Sequence, residues 1–385
     1  MDFAPGETQQ AIARLTADVL DRGQPGGLAG AHGSRAAGAG AGEAYDRGRW
    51  KDLSHAGLLA LNVPSQLGGD ALGVLELAAL LTEVGRRAVP VPALATLMLG
   101  VLPVARWGDR DLQETLLAGV AAGDTVLTAA VREPTDPMPL RPATVARLSD
   151  GPPIVPGVGA GPGAGVVSGV KVGVPYGAAA DWILVPASVA SGGSAVVVID
   201  PSAAGVSLRP ACGSAARECT LRLDQAPIRH VLGDPADGRT VAGLYQLAVA
   251  GACCLADGAL AAALELTTAH VRSRCQFGRP LATFQAVAQQ IADTYIAART
   301  LHLATLSACW HLATGRPAGP DLDVAAYWLA AEAPVALRTC QHLHGGIGMD
   351  VSYPLHRYSA LIRDLVRFIG GCDYRLDRLG AWACD

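Results

Sequence analysis

Apolar positions at helical spacing mark the first part of the chain. The first pattern, within residues 9–20, places four apolar residues on one helical face: Ile12, Leu15, Val19 and Leu20. Apolar spacing resumes after Tyr45, and a second apolar helix is predicted over residues 72–84. The Gly- and Ala-rich interval 23–42 is expected to be a variable connection. We therefore predict an N-terminal helical domain over residues 1–121.

The pattern changes after Asp124 to short apolar runs rich in β-branched residues. Four runs have this character: 126–131, 182–185, 195–199 and 221–223. Pro and Gly separate them, and no helical pattern of useful length interrupts the interval. Such spacing is typical of a small β-barrel or sandwich, which we predict over residues 122–233.

Long helical patterns return after Asp237. They cover four segments: 241–274, 284–315, 321–343 and 354–370. Four long helices with short connections are typical of an antiparallel bundle. The predicted fold is therefore α+β, with a C-terminal four-helix bundle over residues 234–385 that also makes subunit contacts.

Composition narrows the classes of function. Half of the residues are apolar and only 17% are charged, so we expect some apolar surface to contact another subunit. The net charge of −4 and the dispersed basic residues argue against nucleic-acid binding. Nine cysteines without a CxxC pair favour reduced thiols over a disulfide framework or a zinc site.

The chain is expected to be cytoplasmic and to lack a membrane span. The first nine residues carry no basic-then-apolar pattern of a signal peptide. Two uncharged segments, 88–105 and 240–256, approach the length of a span, but the first contains three prolines and the second is diluted by Gly and Gln. Both are predicted to be buried helices.

A basic turn between two long helices is the first candidate site. Arg272, Arg274 and Arg279 lie within eight residues, with Gln276 and Phe277 between them. Guanidinium groups fork onto phosphate oxygens, and an aromatic ring offers a face to a flat heterocycle, so a pyrophosphate attached to adenine would use both. The alternative is a solvated basic turn that complements the negative end of a helix.

A glycine turn after the third C-terminal helix is the second candidate. Gly345 and Gly346 expose backbone that a ligand could approach, and His342 and His344 could each donate a hydrogen bond. The alternative is an ordinary helix stop. No third ligand keeps metal-binding spacing nearby, so no metal is expected. The glycine-rich stretch 157–165 is interrupted by proline and is predicted to be a β-turn, and no hydrolase nucleophile motif is present.

Together the two turns resemble motifs of the acyl-CoA dehydrogenase family. The first motif is Arg-x-Gln-Phe-Gly-x-Pro-Leu from Arg274, with Phe-Gln at 284–285, and the second is His-Gly-Gly-x-Gly from His344. Segment 50–69 is similar to the family's N-terminal helical segment, and Glu133-Pro134 resembles the turn that opens its β-domain. The resemblance covers nearly the whole chain.

The resemblance implies a flavoprotein that oxidises an acyl-CoA between Cα and Cβ and passes electrons to an electron-transfer acceptor. In this family FAD lies between two subunits, with the dinucleotide half on the two turns of one subunit and the flavin ring on the β-domain of the other. Carried over to this sequence, seven residues would bind the dinucleotide half: Arg274, Gln276, Phe277, Leu281, His342, Gly345 and Gly346. His342 stands where the family usually has Gln.

Two departures from the family concern the catalytic half of the site. The family's carboxylate base would fall at Ala248, or at or beside Ile369, and neither place has an acid. A hydroxyl residue that bonds the flavin ring would fall at or beside Pro175, which has neither hydroxyl nor N–H. The resemblance therefore implies no catalytic residue here, and a supporting subunit of a heteromeric α2β2 enzyme whose partner supplies the base and holds the acyl-CoA.

Such heteromers resemble actinobacterial enzymes that desaturate steroid side-chain CoA thioesters. Two alternatives stay open from the sequence. One is a self-sufficient homomeric dehydrogenase or flavin oxygenase that uses an acid such as Asp364 or Asp373. The other is a non-enzymatic interaction subunit that has lost FAD.

Overall fold

The computed structural model describes residues 4–22, 45–149, 164–211 and 217–384. The interval 23–42 and most of the glycine-rich stretch 157–165 lie outside these residues. The described elements follow the order helices, strands, helices, which confirms the α+β class. The domain limits at 121/122 and 233/234 stay predictions. By Cα proximity the chain divides into a first unit, residues 1–40, 74–89 and 250–385, and a second unit, residues 41–73 and 90–249.

Two of the helices before the first strand begin at an aspartate that caps them. They are α1 (Glu7–Asp21), α2 (Arg47–His55), α3 (Val74–Arg87), a π-helical segment (Leu94–Val101) that runs into α4 (Leu102–Trp107), and α5 (Arg110–Leu117). The Asp46 carboxylate accepts the Arg49 N–H at 3.0 Å, and the Asp109 carboxylate accepts the Leu112 N–H at 2.8 Å. These bonds satisfy amide groups that would otherwise lack partners at the starts of α2 and α5.

The β-domain is one eight-stranded sheet within the described residues. Its strands are β1 (Leu127–Ala129), β2 (Val145–Leu148), β3 (Gly165–Pro175), β4 (Trp182–Val189), β5 (Ser194–Ile199), β6 (Val206–Pro210), β7 (Glu218–Pro227) and β8 (His230–Leu232). The order is β6-β7-β3-β2-β4-β5-β8, with β1 parallel to β4. Strands from both ends of this order share a single apolar core, as expected when a sheet curls upon itself.

The four predicted apolar runs fall in β1, β4, β5 and β7, whereas β2, β3, β6 and β8 were not predicted as strands. Strand β3 shows why. Its pairing with β7 shifts register between Val167 and Gly169 and again between Lys171 and Val174. Such irregularities interrupt the two-residue alternation by which a strand is read from sequence.

Five helices follow the sheet in the described part of the chain. They are α6 (Arg239–Ser273), α7 (Gln285–Ala313), α8 (Gly319–His344), α9 (Leu355–Phe368) and α10 (Gly371–Cys384). The first four agree with the predicted segments to within two residues at each end. The fifth helix, α10, was not predicted from the sequence. Its Arg375 is buried and donates to the Asp323 carboxylate of α8 at 3.1 Å, a contact that local sequence does not reveal.

Helix α6 is long and apolar enough to span a membrane by length and composition. However, 89% of its most apolar 18-residue window is buried inside the protein. Core helices of globular proteins pass the same test, so this helix is weak evidence for a span. The π-helical segment Leu94–Val101 within the other uncharged stretch is buried at every residue.

Candidate cofactor site

A tight hairpin places the basic turn directly after α6. Two short strands, Cys275–Gln276 and Arg279–Pro280, pair antiparallel, with Gln276 opposite Arg279. Phe277 and Gly278 connect them with φ angles of 53° and 76°, the left-handed geometry of a type I′ turn. A left-handed φ is costly for phenylalanine. Phe277 lies at the tip of the hairpin and is 92% exposed.

The hairpin gathers cations and aromatic rings at one surface. Arg272, Arg274 and Gln276 are exposed. The Arg279 guanidinium lies 4.1 Å from the centroid of the Phe284 ring, and Phe277 meets the same ring edge-on at 6.2 Å. The Phe284 ring covers one face of the Arg279 guanidinium, while the exposed Arg272 and Arg274 add two further cations that could bind an anion.

The glycine turn ends α8. Gly345 adopts φ 61° and ψ −139°, a conformation that residues with a side chain rarely take. No atom lies within 4 Å of the place where a Cβ of Gly345 or Gly346 would stand, so this backbone faces open space. His342 is exposed in the last turn of α8. These residues could receive a ligand that approaches the main chain closely.

His344, in contrast, is not open to a ligand. Its side chain is buried, with 5% exposure, and both ring nitrogens are engaged inside the protein. Nδ1 lies 2.8 Å from the Cys340 carbonyl oxygen and Nε2 lies 3.0 Å from the Tyr353 hydroxyl. A carbonyl only accepts, so Nδ1 carries the proton and Nε2 accepts from the Tyr353 O–H. The hypothesis that His344 donates to a ligand was therefore wrong.

A pair of stacked imidazoles joins the ends of α6 and α8. The rings of His270 and His344 lie 4.5 Å apart with 22° between their planes. Burial lowers the pKa of both imidazoles, and in His270 the neighbouring His344 and Arg274 lower it further. Both rings are therefore held neutral at pH 7.

This stack brings the two predicted turns together. His270 lies one helical turn before Arg274, whose N–H donates to the His270 carbonyl at 2.8 Å. His344 immediately precedes Gly345. Both turns were predicted from the sequence, whereas His270 and Tyr353, which connect them, were not. The only local signal was a histidine at helical spacing before Arg274.

The donor set suits a phosphate-bearing, flat ligand. Guanidinium forks match phosphate oxygens, an exposed aromatic ring can stack on a heterocycle, and open glycine backbone allows close approach. Gln276 adds an exposed amide, while Leu281 is half-buried at the base of the hairpin. Among the described residues, no group of three or more His, Cys, Asp or Glu could hold a metal ion.

The two positions at which the family resemblance predicted a catalytic base hold apolar side chains. Ala248 is fully buried within α6. Ile369 is fully buried after α9, and its carbonyl accepts the Arg375 Nε–H at 2.8 Å. Of the alternative acids, Asp364 is buried and ion-paired with Arg367 at 2.8 Å, while Asp373 is exposed in the first turn of α10.

The end of β3 offers no side-chain donor to a flavin ring. The Pro175 carbonyl already accepts the Thr128 hydroxyl at 2.6 Å. Two residues earlier, Gly173 has a φ of 61°, and a Cβ placed there would lie 2.7 Å from Nη1 of Arg132. The Arg132 side chain thus lies across Gly173. This part of the β-domain does not fit a flavin ring held by a hydroxyl.

Comparisons with known proteins agree with the motifs. The family model for the acyl-CoA dehydrogenase N-terminal domain matches residues 32–124, and the model for the acyl-CoA dehydrogenase C-terminal domain matches residues 244–374. The chain is 43% identical to acyl-CoA dehydrogenase FadE28 of Mycobacterium tuberculosis, over 99% of this chain and 98% of that protein.

Solved structures share the fold along the whole chain. The ChsE4–ChsE5 complex of Mycobacterium tuberculosis matches with a TM-score of 0.85 and 29% identity, over 100% of this chain and 99% of that one. The Tcur3481–Tcur3483 steroid ACAD variant matches with a TM-score of 0.85 and 30% identity, over 99% of both chains. An FAD complex of PigA shares the fold at 21% identity and a TM-score of 0.82, over 100% of this chain and 99% of that one. The prediction of FAD as the cofactor agrees with these findings.

Proposed function

Because the chain belongs to the acyl-CoA dehydrogenase family, we propose that it is a subunit of an FAD-dependent enzyme that desaturates an acyl-CoA between Cα and Cβ. In this proposal it completes the FAD site of a catalytic partner and supplies no base. The partner holds the acyl-CoA and the flavin ring, and reduced FAD passes its electrons to an electron-transfer acceptor. When bound, FAD supplies the hydride-accepting chemistry.

One contrast supports the proposal: the residues proposed to hold the dinucleotide half of FAD are present and mostly exposed, whereas the positions at which the resemblance predicts a base hold apolar side chains. The Arg274 hairpin and the Gly345-Gly346 turn are joined through the His270–His344 stack and present exposed phosphate-binding groups. In the same chain, Ala248 and Ile369 occupy the places of the base. Proton removal from Cα requires a positioned carboxylate, and in this proposal the partner subunit supplies it.

The relatives suggest what kind of assembly this is. ChsE4–ChsE5 is a complex of two different subunits, and Tcur3481–Tcur3483 is described as a steroid enzyme. By analogy we propose an α2β2 heteromer whose substrate is the CoA thioester of a steroid side chain. The proposed location is the cytoplasm, where CoA thioesters and reduced thiols occur together.

Co-expression with a related dehydrogenase subunit tests the assembly. We expect a four-chain complex that carries two flavins and that is active only when both subunits are present. Activity of this chain alone, abolished by Asp364→Asn or Asp373→Asn, would instead establish a self-sufficient enzyme. A complex that stays colourless when FAD is added would indicate an interaction subunit without a cofactor.

Arg274→Ala tests the role of the hairpin. Loss of a charge-assisted hydrogen bond to phosphate should cost about 1.5–3 kcal/mol, equivalent to a roughly 10- to 150-fold weaker FAD affinity of the complex. Fluorescence titration of the flavin-free complex with FAD measures this. Arg110→Ala is the matched control, because Arg110 is exposed on α5 and pairs with Glu114 there. Equal affinities in the two variants would contradict the proposed site.

A further inference from the structure

An imidazole pair joins the ends of α6 and α8, and two of the three residues involved lie outside the family motifs. His270 precedes the hairpin motif, and Tyr353 follows the glycine motif. His344 belongs to the motif by position but is turned inward. His344 contacts both of the other side chains: the His270 ring stacks on it, and the Tyr353 hydroxyl donates to its Nε2.

This arrangement connects two surfaces that the sequence separates by about seventy residues. On one side, the Arg274 N–H closes the last turn of α6 onto His270. On the other side, the His344 side chain bonds back to the Cys340 carbonyl of α8, and its main chain continues into Gly345. A shift of either ring would therefore move the hairpin relative to the glycine turn.

We propose that His270, His344 and Tyr353 are positioning residues that hold the Arg274 hairpin and the Gly345-Gly346 turn at the spacing required by one pyrophosphate. The inference rests on the proposed function of the two turns. His344 is buried and both of its ring nitrogens are engaged inside the protein, so it is not available to contact the cofactor itself. The three residues act through the main chain of the two turns.

The stack has the geometry expected of a packing contact between flat rings rather than of an ion pair. The two imidazole rings lie 4.5 Å apart with 22° between their planes, so they overlap face to face. A phenyl ring at position 270 can supply the same face, whereas a methyl group cannot. This difference separates positioning by stacking from a requirement for the imidazole nitrogens of His270.

The test uses the co-expressed complex and measures its dissociation constant for FAD by fluorescence titration, with the thermal midpoint of the flavin-free complex recorded separately. We expect His270→Ala to weaken FAD binding about 3- to 10-fold and His270→Phe to restore it. Tyr353→Phe removes a single oxygen, and we expect it to weaken binding by a similar factor. It provides the readout should His270→Ala fail to fold.

His311→Phe is the matched control. His311 lies near the far end of α7, where its Nδ1 donates to the Pro317 carbonyl at 2.8 Å, so its replacement removes a comparable histidine contact away from both turns. Its FAD affinity should equal that of the wild type. If His270→Ala and Tyr353→Phe bind FAD as the wild type does while Arg274→Ala does not, the positioning role is overturned and the proposed function stands. If Arg274→Ala also binds normally, the proposed function itself fails.

Discussion

Glu133 and Lys171 form an ion pair inside the β-domain. Their nitrogen and oxygen atoms are 2.8 Å apart, and the two side chains are 3% and 0% exposed. The Glu133 carboxylate also accepts hydrogen bonds from the main-chain N–H of Ala143 and from the N–H and hydroxyl of Thr144. One carboxylate thus connects the turn after Glu133 to the start of β2 and to β3.

Removing one partner of this pair should destabilise the fold. Lys171→Met leaves a buried carboxylate without its cation, a change that typically costs about 3–5 kcal/mol. We expect the thermal midpoint to fall by roughly 5 °C or more. The double variant Glu133→Gln/Lys171→Met should lose less than the sum of the two single variants, because it leaves no unpaired charge. Additive losses would show that the two groups do not interact.

The same ion pair makes the stability of the fold depend on pH. Burial raises the pKa of Glu133, but Lys171 and the Thr144 hydrogen bonds outweigh it, so the pKa lies below its usual value of 4.5. Burial lowers the pKa of Lys171 to about 8, although Glu133 opposes this. Below about pH 4.5 the unfolded chain binds the Glu133 proton more readily than the folded chain, so stability falls as pH falls. In Glu133→Gln, the thermal midpoint should therefore fall less steeply as the pH is lowered below about 4.5.

At the scale of elements, two glycines allow α3 and α6 to cross closely. A Cβ at Gly258 would lie 1.9 Å from the Thr82 carbonyl oxygen, and one at Gly85 would lie 2.1 Å from the Leu255 carbonyl oxygen. Both obstacles are backbone atoms, which cannot rotate away. The Arg86–Glu265 ion pair at 2.7 Å joins the same two helices. The distance between the axes of α3 and α6 is therefore set by direct contact between their backbones.

Gly258→Ala should accordingly force α3 and α6 apart. We expect it to lower the free energy of unfolding by about 1–3 kcal/mol, an amount typical of overpacking, and so to lower the thermal midpoint. Gly380→Ala is the matched control, since Gly380 is exposed in α10 and nothing lies within 4 Å of its Cβ position. There alanine should be neutral or slightly stabilising, because it favours helix. An equally stable Gly258→Ala variant would show that the crossing tolerates a side chain.

The sequence predicted those elements whose pattern is local. The long helices follow from apolar spacing within each segment, and the two turns follow from motifs of at most twelve residues. Strand β3 was missed because its glycines and register shifts disturb alternation. Helix α10 was missed because its docking depends on Asp323, which accepts from Arg375, Arg378 and Trp382. The link between the two turns was likewise missed, because His270 and His344 meet only in the folded bundle.

At the scale of the whole molecule, the low fraction of charged residues is matched by exposed apolar side chains on α7. Tyr295 and Ile296 are 58% and 57% exposed, and Leu303, two helical turns after Ile296, is 38% exposed. Exposed apolar side chains are typical of subunit contacts. The composition led to the expectation that some apolar surface contacts another subunit, and α7 offers such side chains.

Ile296→Glu tests whether this face holds the proposed heteromer together. A charge placed in an apolar subunit contact loses its hydration without gaining a partner, so the four-chain complex should dissociate into smaller species, as measured by light scattering. Leu140→Glu is the matched control, because Leu140 is 60% exposed in a β-domain loop. Since FAD is proposed to lie between two subunits, dissociation should also release flavin. A complex of unchanged mass would show that the subunits meet elsewhere on the molecule.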